Sequence, residues 1–329
     1  MKDRRVVITH WVHPEVIHYL ESAGCEVIAN DTKGTLPKAE ILARAQEAVA
    51  LMAFMPDQVD ASFLDACPKL KIIAGALRGY DNFDVEACTK RNIWFTLVPA
   101  LLAGPTAELT VGLLIAVSRR LLEGDDWVRS GQFDGWRPEL YGTGLQNKQV
   151  GIVGMGQLGK ALAQRLRGFD ARIVYTDPQR LSDLEESSTG LQYEGFYDLL
   201  NTSHFVVLTT PLQPDTFHLI NSSTIAAMQP GSYLVNPARG SVVDEQAVAA
   251  AIASGQLAGY AADVFEMEDW ARSDRPHHIP QTLLEDRTRT VFTPHLGSAV
   301  ADLRLEIALD AASSIVQALN GQAPERRVL

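Results

Sequence analysis

The sequence is poor in cysteine: three in 329 residues, at Cys25, Cys67 and Cys88, with no CxxC and no metal-ligand spacing. That excludes a disulfide scaffold or a structural zinc module, and the three read as small buried hydrophobes in a reducing compartment. Positive charge is also scarce. Lys and Arg number 29 against 40 Asp and Glu, a formal net charge of −11. Such a surface argues against nucleic acid or an acidic membrane as partner, so an anionic substrate must be gathered by a local arginine cluster. Long hydrophobic runs are missing as well. The longest of note, Val111 to Val117, is far shorter than a bilayer requires. The opening MKDRRVVITH has basic residues but no apolar segment before a cleavage site, so no secretory signal is expected, and a soluble cytoplasmic protein is. Repeats, heptads and low-complexity segments are absent.

What is present is ordinary globular composition, 46% hydrophobic and 21% charged, on a chain long enough for two domains. From residue 5 to 98, short apolar runs such as VVITH, EVIAN, AVALMAFM, LKIIAGAL and WFTLV alternate with helical patterns. Strands alternating with helices imply parallel βαβ units, hence a small α/β domain. Pro105 is expected to open a long apolar helix over 105–122, with proline at its first turn. The segment after it, DDWVRSGQFDGWRPELYGTGLQNK, reads as a long ordered connection. The alternation resumes at Gln149 and runs to TVFTPH, and a final helix is expected over roughly 299–320.

Residues 149–167, QVGIVGMGQLGKALAQRLR, read as a strand, a G-x-G-x-x-G turn and a helix. Gly154 allows the tight turn, Gly156 a close approach of backbone to a pyrophosphate, and Gly159 close packing of helix on strand. Gln157 and Leu158 begin the helix whose free N–H groups would face the phosphates. A second apolar run ends at Asp177, 23 positions after Gly154. A carboxylate there accepts hydrogen bonds from the adenosine ribose and repels a 2′-phosphate, favouring NAD over NADP. The competing reading is a surface turn at Asp177-Pro178.

Three loops follow apolar strands: NPARGSVVDE with Arg239, ADVFEMEDW with Asp263 and Glu268, and FTPHLGSA with His295. Ligands of open α/β sheets bind outside the carboxyl ends of strands. A histidine moves protons near neutral pH, a neighbouring glutamate orients its ring, and an arginine offers a fork of donors to an oxyanion. Set around a nicotinamide, these three make a hydride-transfer site. Taken singly, His295 could be a core histidine and Glu268 part of a solvated acidic loop.

Together, GMGQLG, Asp177, NPARGSVVDE, DVFEME and TPHLGSA resemble the D-2-hydroxyacid dehydrogenase family over about residues 75 to 300. That resemblance implies an NAD-dependent oxidoreductase, a homodimer, and an α/β fold in which a doubly wound Rossmann sheet is inserted in a smaller flavodoxin-like α/β catalytic domain. The expected division is residues 1–100 plus 299–329 for the catalytic domain and 101–298 for the NAD-binding domain.

A narrower resemblance, to the phosphonate (phosphite) dehydrogenases within that family, rests on MAFMPD, GYDNFDV, GQFDGWRPELYGTGL, GYAADVFEMEDWARSDRP and FTPHLGSAVADLRLEIA. It implies oxidation of phosphite to phosphate with NAD. It assigns Arg239, Glu268 and His295 to catalysis and Arg78, Gly79, Met55, Arg304, Trp136 and Tyr141 to the substrate. Thr106, Pro211, Ala238 and Asp263 join the glycine loop and Asp177 along the cofactor, and no metal is involved. Two departures stand out: Arg78 occupies a position that is lysine in the phosphite enzymes, and Ala100 and Ala103 replace polar residues in PALLAGPTAEL. The alternatives are a D-2-hydroxyacid dehydrogenase reducing glyoxylate, hydroxypyruvate or another 2-oxoacid, and a non-enzymatic NAD-binding corepressor-like scaffold.

Overall fold

The computed structural model describes residues 4–328; the first three residues and the last of the expected catalytic domain lie outside them. The chain forms two compact units: Met1–Leu102 with Trp270–Ser273 and Ala299–Leu329, and Ala103–Asp269 with Asp274–Ser298. Each is built on its own parallel sheet.

In the first unit the strands are β1 (Arg5–Ile8), β2 (Glu26–Ile28), β3 (Ala50–Ala53), β4 (Ile72–Gly75) and β5 (Trp94–Leu97). Their order is β2-β1-β3-β4-β5, every pair parallel. β3 and β4 are buried along their whole length, as strands covered on both faces by crossover helices must be. The long helix Ala301–Leu319 returns to this sheet and packs on β3, β4 and the helix Pro14–Ser22 through Ile307, Ala308, Ala311, Ala312 and Ile315. Late sequence thus completes an early domain.

The second unit has β6 (Gln149–Val153), β7 (Arg172–Thr176), β8 (Gln192–Tyr193), β9 (Phe205–Leu208), β10 (Ser232–Asn236), β11 (Leu257–Ala262) and β12 (Thr290–Phe292). Their order is β12-β11-β10-β9-β6-β7-β8, again parallel throughout. β6 pairs with β7 through Gly151↔Val174 and with β9 through Gly151↔Val206. Chain order reverses direction between these two neighbours, which creates the crevice where such sheets bind ligands. The glycine loop leaves β6 at that point. The doubly wound parallel α/β class is therefore observed.

The apolar helix differs from the expectation. It spans Ala103–Ser118 and is followed, after Arg120 at φ +54°, by a separate helix Leu121–Arg129 that takes up the start of the expected connection. The stop has a tertiary cause: the Ser118 carbonyl accepts Thr143 N–H instead of continuing the helix, and the Ser118 hydroxyl donates back to Leu114 O. Only glycine fits at 142, because a Cβ there would overlap the Ser118 carbonyl. With the turn before it, Ala100–Ser118 is 19 residues of mean hydropathy 1.8, enough by length and composition alone to cross a bilayer. That corrects the expectation drawn from Val111–Val117. In this fold the helix packs on β10, β11, β12 and the helix Gln157–Leu166, with Ala107, Leu113, Leu114 and Val117 in the core.

Candidate active site

The cofactor cradle is built where β6 ends. Gly154 has φ +99°, and a Cβ on it would press within 2.9 Å of the Thr209–Thr210 backbone just past β9. A Cβ on Gly159 would overlap the Gly154 carbonyl, so this glycine lets the helix Gln157–Leu166 seat against the loop. Gly156 is different. It is exposed at the N-cap, and a Cβ there meets nothing within 4 Å. Open space therefore lies before a helix N-terminus, which suits the pyrophosphate of NAD. Asp177, half-buried past the end of β7, accepts Met155 N–H at 2.6 Å on Oδ2 and Gln179 N–H at 2.8 Å on Oδ1. Each oxygen keeps a second lone pair for a ribose hydroxyl. Gln157 is exposed and Leu158 half-buried beside this opening, Pro211 is exposed after β9, and Ala238 is buried after β10. Thr106 touches Gly297, where a Cβ would come within 2.9 Å of its hydroxyl.

The catalytic candidates lie in the same unit. Asn236 closes β10 and ties the following turn, donating to Arg239 O at 2.8 Å and accepting Ala238 N–H at 3.1 Å. Arg239 is half-buried in an extended conformation, with Nη1 donating to Ala238 O at 2.8 Å. Gly240 lies so close to the turn Glu266–Glu268 that a Cβ would overlap the Phe265 carbonyl group. The two loops are also bolted by Asp269 Oδ2, which accepts the Ser241 N–H at 3.1 Å and the Ser241 hydroxyl.

Glu268 uses its carboxylate in two directions: Oε1 accepts Phe265 N–H at 2.7 Å and Oε2 lies 2.7 Å from His295 Nδ1. His295 has φ +56°, a left-handed conformation that costs a side-chain-bearing residue energy. Its neighbours hold it there. The His295 N–H donates to Asp263 O at 2.8 Å, and the buried Asp263 carboxylate accepts Leu296 N–H, Gly297 N–H and the Thr293 hydroxyl at 2.6–2.8 Å. Burial pushes the Asp263 carboxyl up from its ordinary value, while those three donors pull it down. Asp263 thus shapes the histidine loop from below, a role its place in the motif did not reveal.

In the first unit, Arg78 is exposed after β4 with Nη1 3.5 Å from Val98 O, and Gly79 beside it is half-buried. Met55 is half-buried, its carbonyl accepting Asn82 Nδ2–H at 3.1 Å. The Arg304 guanidinium lies 5.7 Å over the Phe54 ring, and burial lowers it from its ordinary value. In the second unit, Trp136 and Tyr141 are 81% and 70% exposed. Among the described residues no group of three or more His, Cys, Asp or Glu could hold a metal ion.

The parts played by six neighbours escaped sequence reading: Gly240, Ser241, Asp269, the buried Glu245 and Glu266, and the half-buried His218. Their signal is faint, since a glycine after arginine or a glutamate opening a helix has many ordinary reasons.

Residues 111–297 match the family described as D-isomer specific 2-hydroxyacid dehydrogenase, NAD binding domain. A glyoxylate reductase of Thermofilum pendens is 38% identical over 303 residues, 91% of this chain and 87% of that protein. One from Thermococcus litoralis is 38% identical over 297 residues, 89% of this chain and 87% of that protein. Among solved structures, the TT0316 protein of Thermus thermophilus superposes with a TM-score of 0.88 at 35% identity, covering 99% of this chain and 100% of that one. A D-lactate dehydrogenase of Aquifex aeolicus complexed with NAD and lactic acid gives 0.81 at 26% identity, covering 96% of each.

Proposed function

The chain belongs to the D-isomer specific 2-hydroxyacid dehydrogenase family, and from that premise we propose that it reduces a small 2-oxoacid, glyoxylate or hydroxypyruvate, to the 2-hydroxyacid. It is an oxidoreductase with an NAD-binding domain. The observation that carries the reading is the 2.7 Å contact between His295 Nδ1 and Glu268 Oε2. With Nδ1 engaged, Nε2 is the nitrogen left to exchange a proton with substrate. Bound NADH supplies the hydride to the carbonyl carbon. His295 then gives its Nε2 proton to the carbonyl oxygen as negative charge builds, and Glu268 holds the ring and offsets its positive charge. The Arg239 fork takes the substrate carboxylate. The names of relatives 38% identical over about nine-tenths of the chain support glyoxylate as the oxoacid.

A second reading, oxidation of phosphite to phosphate, rests on the stretches NPARGSVVDE and FTPHLGSAVADLRLEIA that resemble the phosphite enzymes, with the Arg239 fork taking the oxyanion. In this reading His295 takes a proton from the water that attacks phosphorus as the hydride leaves for NAD. One assay separates the two: NADH consumption with a panel of 2-oxoacids against NADH formation with phosphite and NAD. Consumption with glyoxylate supports the first reading, formation with phosphite alone installs the second, and neither, in protein that binds NADH, sinks both. We also propose a homodimer, supported by the exposed Leu121, Leu122, Val128 and Phe133 and tested by sedimentation.

A further inference from the structure

Beneath the turn that carries Glu268 lies a second set of ionisable side chains that the reaction above does not use. Glu245 is the first residue of the helix Glu245–Ser254, capped by Asp244, and is only 2% exposed. Its Oε1 accepts the Glu266 N–H at 2.9 Å, while its Oε2 is buried with no hydrogen-bond partner among the described residues. Glu266, 6% exposed, places Oε1 2.7 Å from His218 Nε2. His218 is in turn held to the arginine loop, its N–H donating to Ser241 O at 2.8 Å. One three-residue turn therefore carries two histidine–glutamate contacts, His218 with Glu266 and His295 with Glu268, and rests on a third carboxyl.

We infer that Glu245, with the His218–Glu266 pair, is a positioning group for the His295–Glu268 dyad: it fixes the turn Glu266–Glu268 through the Glu266 N–H and so aims the Glu268 carboxylate. The linkage is short. Glu268 gets its orientation from Phe265 N–H at 2.7 Å, one residue before the amide that Glu245 holds. Shifting that amide shifts the frame in which Oε2 meets the imidazole, and small misplacements of reacting groups cost rate steeply. The charged groups that act on Glu245 are acidic, Glu266 and Glu268 from the turn and Asp269 just past it, with the Tyr260 hydroxyl on β11 beside it. Burial and these acids push the Glu245 carboxyl up to about 7, against the pull of the Glu266 N–H. Ionisation above neutrality adds negative charge under the turn, so turnover acquires a pH dependence that does not originate in a group touching substrate.

The inference rests on His295 acting as the acid–base group, and its test separates the two. Glu245→Gln keeps an acceptor for the Glu266 N–H and removes the charge; Glu245→Leu removes both. The expectation is that Glu245→Leu lowers kcat about tenfold or more with KM for the cofactor within about twofold. Glu245→Gln should recover most of that loss and flatten the kcat–pH profile between pH 6 and 8. NADH binding by fluorescence reports folding of the Rossmann unit. If Glu245→Leu no longer binds NADH, the decision passes to Glu245→Gln and His218→Ala, the latter expected to lower kcat with cofactor KM unchanged. Wild-type kcat and pH profile in Glu245→Gln and His218→Ala, or equal damage in Glu245→Gln and Glu245→Leu, overturn the positioning role. Survival of full activity in His295→Ala would instead strike the reading of the reaction.

Discussion

Gly240 lies against the backbone of Phe265 so closely that no side chain can be placed on it without overlapping the Phe265 carbonyl. This contact joins the arginine loop to the glutamate turn: the residue before Gly240 is Arg239, and the Phe265 N–H orients Glu268. Gly240→Ala must push the two loops apart against packed backbone. It is expected to destabilise the protein by about 3 kcal/mol or more and to lower kcat beyond what residual folding explains, read by urea unfolding alongside turnover.

In the proposed reaction His295 transfers the proton, and His295→Ala removes it while leaving the Rossmann cradle untouched. Turnover should fall by roughly 10²–10⁴, with NADH affinity unchanged by fluorescence titration. Glu268→Gln, which keeps a hydrogen-bonding side chain beside Nδ1, should fall less. A His295→Ala enzyme that retains most of the wild-type rate would remove His295 from the mechanism.

In the proposed cradle Asp177 sets cofactor choice, and the Met155 N–H of the glycine loop holds its carboxylate at 2.6 Å. Asp177→Ser removes the charge that repels a 2′-phosphate and weakens the ribose contacts. KM for NAD should rise about tenfold or more while KM for NADP falls, measured as the ratio of kcat/KM for the two cofactors.

Glu245 also ties stability to pH. Its carboxyl is pushed from 4.5 to about 7 in the folded protein, chiefly by burial. Below pH about 4.5 the group is protonated whether the chain is folded or not, and its contribution is fully present. As pH rises through about 7 the folded protein must ionise a buried acid that the unfolded chain ionised earlier, and up to about 3 kcal/mol of stability is lost. Glu245→Gln should therefore flatten the fall in unfolding free energy between pH 5 and 8, and an unchanged slope would refute the assignment.

The local signals in the sequence were strong enough to give the parallel strands and the glycine turn, and to single out Asp177, Arg239, Glu268 and His295 as candidates. The reason is that each depends on a few adjacent residues: a strand needs its apolar run, a phosphate loop its glycines. The end of the apolar helix was not legible, because Ser118 stops it with a carbonyl claimed by Thr143, 25 positions on. Nor was the left-handed backbone of His295, which Asp263 holds from another strand.

Sequence alone determined the family and its NAD-binding domain, since those motifs and their order along the chain are read directly, while the narrower resemblance to the phosphite enzymes is not what the relatives share. Only the tertiary structure decided how the candidate residues are aimed. The Gly240–Phe265 contact, the Ser241–Asp269 bolt and the Glu245 support join residues more than twenty positions apart, and no local pattern encodes a contact made across loops.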